Sequence, residues 1–332
     1  MKFRFEFPIK KLPEPITHQH RLMLMGSCFT ENIGAKLNSY KFTTLQNPNG
    51  ILFNPVSVAE ALTDYIEKKD FIADDLFTIN EAWHSWKHHS RFSGLRAEES
   101  LAKINSAVTE AHQFLKEADY LFITLGSAWV YQLTEKAANA IVGSVAANNH
   151  KAPADWFSRK LLQTEDVLRV LDNVIHRLFH FNSKLKIIFT ISPVRHLREG
   201  VVENNRSKAV LISAVHHLVD KFDRLFYFPA YELVIDDLRD YRFYAEDLVH
   251  PNYFATQYVW EKLVDACMDE KTKGLMEELH TINLAFQHKA FNPSSESHKQ
   301  FLMKSYQKAV SLQDSHPFID LQKEIAYFQQ GF

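Results

Sequence analysis

Arg21-Leu-Met-Leu-Met-Gly-Ser-Cys-Phe-Thr-Glu-Asn-Ile-Gly34 reads as a buried strand that turns into a helix at one small residue. Residues 21–25 are apolar enough for a strand covered on both faces, and Gly26 marks the turn. Thr30 to about Tyr40 has helical spacing, with Ile33 and Leu37 one turn apart. A strand that turns sharply into a helix exposes the side chain at the turn beside free helix N–H groups, and so can present a nucleophile. Two candidates occupy the turn, Ser27 and Cys28. A thiol at a helix N-terminus is expected to ionise more readily, because the dipole favours the thiolate. A lone cysteine can equally be a small buried hydrophobe.

Outward from this stretch the pattern repeats. Apolar runs at 120–126, 186–192 and 225–231 read as strands, the last broken by Pro229. Between them lie helical segments at 56–68, 98–117, 164–181 and 203–221, with another at 253–268. Strands separated by helices of this length predict a parallel sheet covered on both faces. Ligands then bind at the carboxyl ends of the strands. Gly26-Ser27-Cys28, Gly126-Ser127 and Ser192-Pro193 all fall at such ends. Phe3, Phe5 and Phe7 alternate with Arg4 and Glu6, which predicts a half-buried strand over 2–8. Residues 136–155 read as an irregular excursion. Beyond about Thr272, two or three amphipathic helices are expected. These readings divide the chain into a domain over 1–270 and a helical extension over 271–332.

Composition excludes several functions. Of 332 residues 46% are hydrophobic and 23% charged, as in ordinary globular proteins. The net charge of −2 offers no basic field for nucleic acid or an anionic membrane. Two cysteines, Cys28 and Cys267, make neither a disulfide framework nor a thiolate metal cluster. His84 and His88 are four apart, but no local acid or cysteine completes a ligand set, so no metal and no cofactor is expected. The charged N-terminus and the lack of a membrane-length apolar run predict a cytoplasmic protein.

A second motif precedes the helix at 253. Asp247-Leu-Val-His250 can bring a carboxylate against an imidazole, which fixes the tautomer of a histidine base. Asp247 could instead cap that helix. With Gly26-Ser-Cys-Phe-Thr-Glu-Asn-Ile33, the pattern resembles the GSCFA family, a branch of the SGNH/GDSL hydrolase superfamily. Thr30 stands where the family's name has Ala. Asn47-Pro-Asn-Gly-Ile-Leu-Phe-Asn-Pro55, Thr124-Leu-Gly-Ser-Ala-Trp-Val-Tyr131, Ser192-Pro-Val-Arg-His196 and Asp247-Leu-Val-His-Pro251 also look like family blocks.

The resemblance implies a three-layer α/β/α flavodoxin-like (SGNH-type) fold and ester hydrolysis. Aligning the glycines puts Cys28 at the nucleophile position, with Ser27 the alternative, and assigns the acid–base pair to Asp247 and His250. The oxyanion donors map to the Cys28 N–H and Gly50. The third block reads Gly126-Ser-Ala-Trp129 where the superfamily has Gly-x-Asn-Asp, so its asparagine donor is missing and Ser127 is the candidate substitute. Trp83, His84, His89, Trp129 and Arg195 are candidates for the substrate wall. The expected activity is an O-acyl esterase on a carbohydrate or small ester. An O-acyltransferase using the same residues, or a non-catalytic binding module on this fold, is the alternative.

Overall fold

The computed structural model describes residues 4–330. The first half of the chain runs β1 (Arg21–Gly26), α1 (Cys28–Ser39), β2 (Thr43–Gln46), α2 (Pro55–Glu67), the hairpin β3 (Phe77–Ile79) and β4 (Ala82–His84), α3 (Ala97–Glu117) and β5 (Tyr120–Leu125). The next part is β6 (Trp129–Leu133), β7 (Val145–Ala146), β8 (Phe157–Leu161), α4 (Thr164–Phe181), β9 (Lys186–Ile191), α5 (Val201–Lys221) and β10 (Leu225–Tyr227). A single turn α6 (Ala230–Glu232), then α7 (Tyr253–Cys267), α8 (Glu270–Gln287), α9 (Glu296–Ser315) and α10 (Gln322–Gln329) complete it.

Strands β10-β9-β5-β1-β2 form one sheet, and every pairing in it is parallel. Ranked by position along the chain, that is the 2-1-3-4-5 order of flavodoxin-like sheets, whose ligand crevice opens between the first and third strands. Here those strands are β1 and β5. Strand alternation supplies both core layers. Met23, Met25, Leu121, Ile123, Ile187 and Phe189 face one layer. Leu22, Leu24, Tyr120, Phe122 and Ile188 face the other. Helices α2 to α5 cover the first face, and α1 and α7 the second. The fit is legible in α4, where Val167, Leu171, Val174, Ile175 and Leu178 are buried at helical spacing. This is the predicted three-layer α/β/α architecture.

Among the described residues of the predicted strand over 2–8, none is in a strand. Phe3 lies outside the described residues, Phe5 is 74% exposed, and residues 5–10 carry no secondary structure. The chain enters instead as a strap: Leu12 N–H donates to Ala266 O and Ile16 N–H to Cys267 O, the last two residues of α7. The sequence also hid a second sheet of three antiparallel strands, β7-β6-β8. Its β8 carries Arg159 and Lys160 to solvent, which disguises the apolar signal, and its β7 lies within the otherwise irregular 136–155 excursion. The three C-terminal helices build a cluster of their own from Leu279, Ile282, Leu312, Leu321 and Phe328, against which Tyr40 packs. Lys41 and the buried Glu324 tie that cluster to the end of α1 at 2.7 Å.

Candidate active site

At the carboxyl end of β1 the backbone turns where only glycine fits. Gly26 has φ +137°, and a Cβ there would lie 2.2 Å from the Thr124 carbonyl oxygen of β5. Ser27 N–H donates to that same oxygen at 3.1 Å. Ser27 is buried, and its Oγ has no hydrogen-bond partner. Cys28, the first residue of α1, is partly exposed. Its own N–H and that of Phe29 point at the sulfur and favour the thiolate, as expected at a helix N-terminus. They do not decide the balance. Burial, with Glu31 adding to it, pushes the Cys28 thiol above its ordinary range, and Lys208 pulls the other way. Cys28 therefore rests as a thiol, contrary to the expectation of easy ionisation.

The loop between α6 and α7 holds the second half of the site. A π-helical turn over Leu233–Leu238 leads into it. Tyr244 and Pro251 bridge its base, Ala245 N–H donates to His250 O at 2.8 Å, and Leu248 takes φ +57° at its tip. Asp247 does not cap α7; Asn252 does, accepting from Ala255 N–H at 3.2 Å. Asp247 Oδ1 instead accepts from the Val249 and His250 N–H groups at 2.9 and 3.0 Å. That leaves Oδ2 to accept from His250 Nδ1–H at 2.7 Å. The backbone bond from His250, with its ring bond and the Val249 N–H, holds the Asp247 carboxyl down at about 2. With Nδ1 protonated, Nε2 is the basic nitrogen of His250. The loop is fastened to the sheet by Arg195 N–H, which donates to Val249 O at 3.3 Å just past β9. The thiol and the imidazole are not hydrogen bonded to each other.

Two of the expected oxyanion donors are engaged. Gly50, at φ +83°, donates its N–H to Asn47 O at 2.7 Å inside the turn. Ser127 N–H donates to Phe53 O at 3.0 Å, and its Oγ accepts from Trp129 N–H at 3.0 Å. Among the wall candidates, His84 belongs to the hairpin: its ring bonds Ser93 Oγ at 2.6 Å and Ile79 O at 3.2 Å. Trp83 pairs its backbone with Gly94 and packs against the main core. Trp129 donates its indole N–H to Glu203 O and lies under Arg159. His89 packs against Gly50, where a Cβ would sit 2.2 Å from its own. Arg195 lies over Tyr244 and opens onto a cavity of about 310 Å³ that Arg239, Asp240 and Tyr241 also line. The structure thus brings His89 and Arg195 toward the carboxyl edge and gives His84 a packing role. Among the described residues no group of three or more His, Cys, Asp and Glu is arranged to hold a metal ion.

Three residues at this edge were not singled out in the sequence. Asn47 is buried, its Oδ1 accepts from Gly26 N–H at 2.9 Å, and its Nδ2 has no partner. Lys208 is 1% exposed on α5. His196 follows β9; its ring tilts against Phe53, its buried Nε2 has no partner, and a Cβ on Gly126 would come within 2.9 Å of that nitrogen. Burial, with Lys208 and His250 nearby, pulls His196 down to about 4. The sequence signals for Asn47 and His196 were their places in the turn-rich loop and after Ser192-Pro193. A lysine inside a long helix gives none.

A flavodoxin-like sheet thus carries a strand–Gly–Ser–Cys–helix turn and an Asp–His loop at its carboxyl edge, where sheets of this order bind their ligands. The GSCFA family matches residues 21–263, and the chain belongs to that family. A second match, to the C-terminal domain of GSCFA domain proteins, covers residues 279–331. No curated protein matches the sequence significantly. Among solved structures, a carbohydrate esterase of family 3 from Talaromyces cellulolyticus is similar at TM-score 0.36 and 7% identity, over 78% of this chain and 99% of that one. An acetyl xylan esterase from the rumen bacterium Butyrivibrio proteoclasticus is similar at TM-score 0.36 and 11% identity, over 79% and 64%. At that level of likeness neither neighbour informs the chemistry of this chain. No helix among the described residues is long and apolar enough to cross a membrane.

Proposed function

We propose that the protein is an SGNH-type O-acyl esterase, acting on a carbohydrate or small ester through Cys28, His250 and Asp247. The observation that carries the reading is the Asp247–His250 bond at 2.7 Å, made by a carboxylate whose other oxygen is locked by two backbone N–H groups. That lock serves no cap and fixes one tautomer, which is what a general base requires. Cys28 is favoured over Ser27 because Cys28 is reachable and Ser27 is buried.

In the reaction, His250 Nε2 takes the thiol proton as substrate enters. Cys28 Sγ then attacks the ester carbonyl carbon. Catalytic contacts of this kind are often loose in a free enzyme and tighten around substrate. The oxyanion is held by the Cys28 and Phe29 N–H groups. The free Nδ2 of Asn47 stands in for the asparagine that the third block lacks. The C–O bond breaks, and the alcohol leaves with the proton from His250. Water then attacks the thioester, giving its proton to His250, and the acid leaves as the thiol reforms. A reducing cytoplasmic setting keeps both cysteines as the free thiols this chemistry needs. Residues 1–270 form the hydrolase domain, and 271–332 an extension that docks on α1.

The test is peptide-mapped mass spectrometry after incubation with 4-nitrophenyl acetate and a panel of acetylated sugars. An acetyl group on Cys28, turned over by the wild type and trapped in His250→Ala, is expected. Cys28→Ala is expected to lose turnover entirely. A folded Cys28→Ala protein with undiminished turnover sinks the reading, and an adduct on Ser27 would move the nucleophile by one residue. Transfer of the acetyl group to an added sugar would make the protein a transferase with the same residues. Asn47→Asp keeps the acceptor for Gly26 and removes the free donor; turnover is expected to fall about 100-fold, as for loss of one oxyanion donor.

A further inference from the structure

Lys208 occupies an unusual place for an ionisable side chain. It rises from α5 beneath the carboxyl edge, where its Nζ donates to Gly126 O, just past β5, at 2.7 Å and to Ser192 O, just past β9, at 2.7 Å. Both partners are neutral carbonyls. Among the described residues no carboxylate forms an ion pair with it, and the Tyr231 ring lies 5.9 Å away. A buried ammonium is retained at a steep cost unless an anion answers it. Carbonyl oxygens orient the charge but do not neutralise it.

The groups around it narrow the choice of anion. Lys208 is pinned between the ends of β5 and β9, near enough for its charge to be felt by Cys28 at the start of α1 and by His196 in the loop after β9. From its own helix the thiol also feels Glu31, which opposes ionisation. Of these, only Cys28 can present an anion to Lys208. Burial pulls Lys208 down to about 7 while Cys28 pulls it back up.

We propose that Lys208 is the fixed counter-cation of Cys28, a positioning residue whose charge, pinned by the Gly126 and Ser192 carbonyls, stabilises the thiolate once it forms. The inference rests on the reading that Cys28 is the attacking group. It separates two tasks: His250 carries the proton away, and Lys208 holds the charge left behind. It also gives a reason for a lysine under a site whose thiol burial would otherwise keep protonated.

The experiment reads the thiol directly and so does not depend on knowing the substrate. Iodoacetamide alkylation of Cys28 is followed by peptide mapping, which separates it from Cys267, between pH 6 and 10 on the full chain. In alkylation the S–C bond forms as the C–I bond breaks, the thiol proton passes to solvent and iodide leaves. Lys208→Gln keeps a donor for the carbonyls but removes the charge. It is expected to slow alkylation about tenfold at pH 6, where Lys208 is protonated, and to move the profile to higher pH. Lys208→Arg is expected to restore most of the rate, which a purely structural role would not require. A folded Lys208→Gln with the wild-type profile overturns the proposal. The wild type supplies a second reading that needs no variant. Beside a fixed cation, anionic iodoacetate should gain several-fold on neutral iodoacetamide, relative to the ratio for N-acetylcysteine. A ratio equal to that of the free thiol also overturns it. Failure of the nucleophile assignment looks different: Cys28→Ala would keep its turnover whatever the alkylation profile shows.

Discussion

Two histidines approach the same carboxyl edge from different loops, and they are built in opposite ways. His196 is carried on the segment after β9, wedged beside Phe53 and over Gly126, with Nε2 buried and without a partner. His250 stands on an exposed loop, with one nitrogen committed to a carboxylate that two backbone groups already hold. Environment separates them as candidate bases. Burial and the nearby Lys208 keep His196 neutral, so a proton taken from a thiol would have no stabilising anion there. Asp247 gives His250 that anion and leaves the second nitrogen to solvent and substrate.

The largest effect should come from exchanging which histidine is removed. His250→Ala is expected to cut deacylation by about 100-fold to 10,000-fold, the range of a general acid–base group. His196→Ala should cost less than tenfold at the same step, measured by single-turnover loss of the acetyl group from Cys28. Equal losses in the two variants would break the comparison, because both rings would then carry the proton. The next effect is that of Asp247→Asn, which preserves an acceptor for the Val249 and His250 N–H groups but removes the charge opposite Nδ1. Because this pair is solvent-exposed, its loss should fall well below the ~10,000-fold controlled by a buried triad aspartate. A fall in kcat with KM unchanged would mark tautomer and charge control; a rise in KM alone would reduce Asp247 to a loop staple. The depressed carboxyl fixes the sign of its pH dependence. Its contribution is full above about pH 4 and disappears only as pH falls through about 2.

The same contrast explains what could be read from the chain alone. The parallel sheet was legible because β1, β5 and β9 are continuous apolar runs punctuated by long amphipathic helices. The site's covalent pattern was legible where it is local: Gly26-Ser27-Cys28 is one turn, and Asp247 to His250 is one loop. What escaped was non-local or masked. The edge strand β2 is short and half-exposed, and the β7-β6-β8 sheet mixes cationic with apolar positions. Asn47, His196 and Lys208 gain their significance only when the ends of β1, β5 and β9 meet. Helix-terminus chemistry predicted an acidic thiol, but the burial of Cys28 outweighs the dipole, and no local pattern encodes how deeply a turn is covered. Gly50 and Ser127 illustrate the same limit, since a backbone N–H suitable in sequence can already be engaged by its own turn.

The smallest expected effect sharpens the comparison without any substrate. His196 sits at about 4 in the folded protein against about 6.5 for an unperturbed histidine. Between those values the unfolded chain binds a proton that the native state refuses. Stability therefore falls as pH drops from about 6.5 to about 4, and this group adds nothing further below that. His18 and His150, held at about 4, and His88, at about 3, act in the same direction, so acid sensitivity is shared. His196→Gln cancels one share. The decline in Tm from pH 6.5 to pH 4 should become shallower by about 4–5 °C, taking ~1.4 kcal/mol per proton per pH unit across that window and a Tm response of ~1.4 °C per kcal/mol for a chain of this length. Differential scanning fluorimetry of both proteins at matched ionic strength measures it. An unchanged slope would mean that native His196 takes up its proton as readily as the unfolded chain does. The ring after β9 would then be a second base beside Cys28, and the division of labour between the two loops would have to be redrawn with His196 in it.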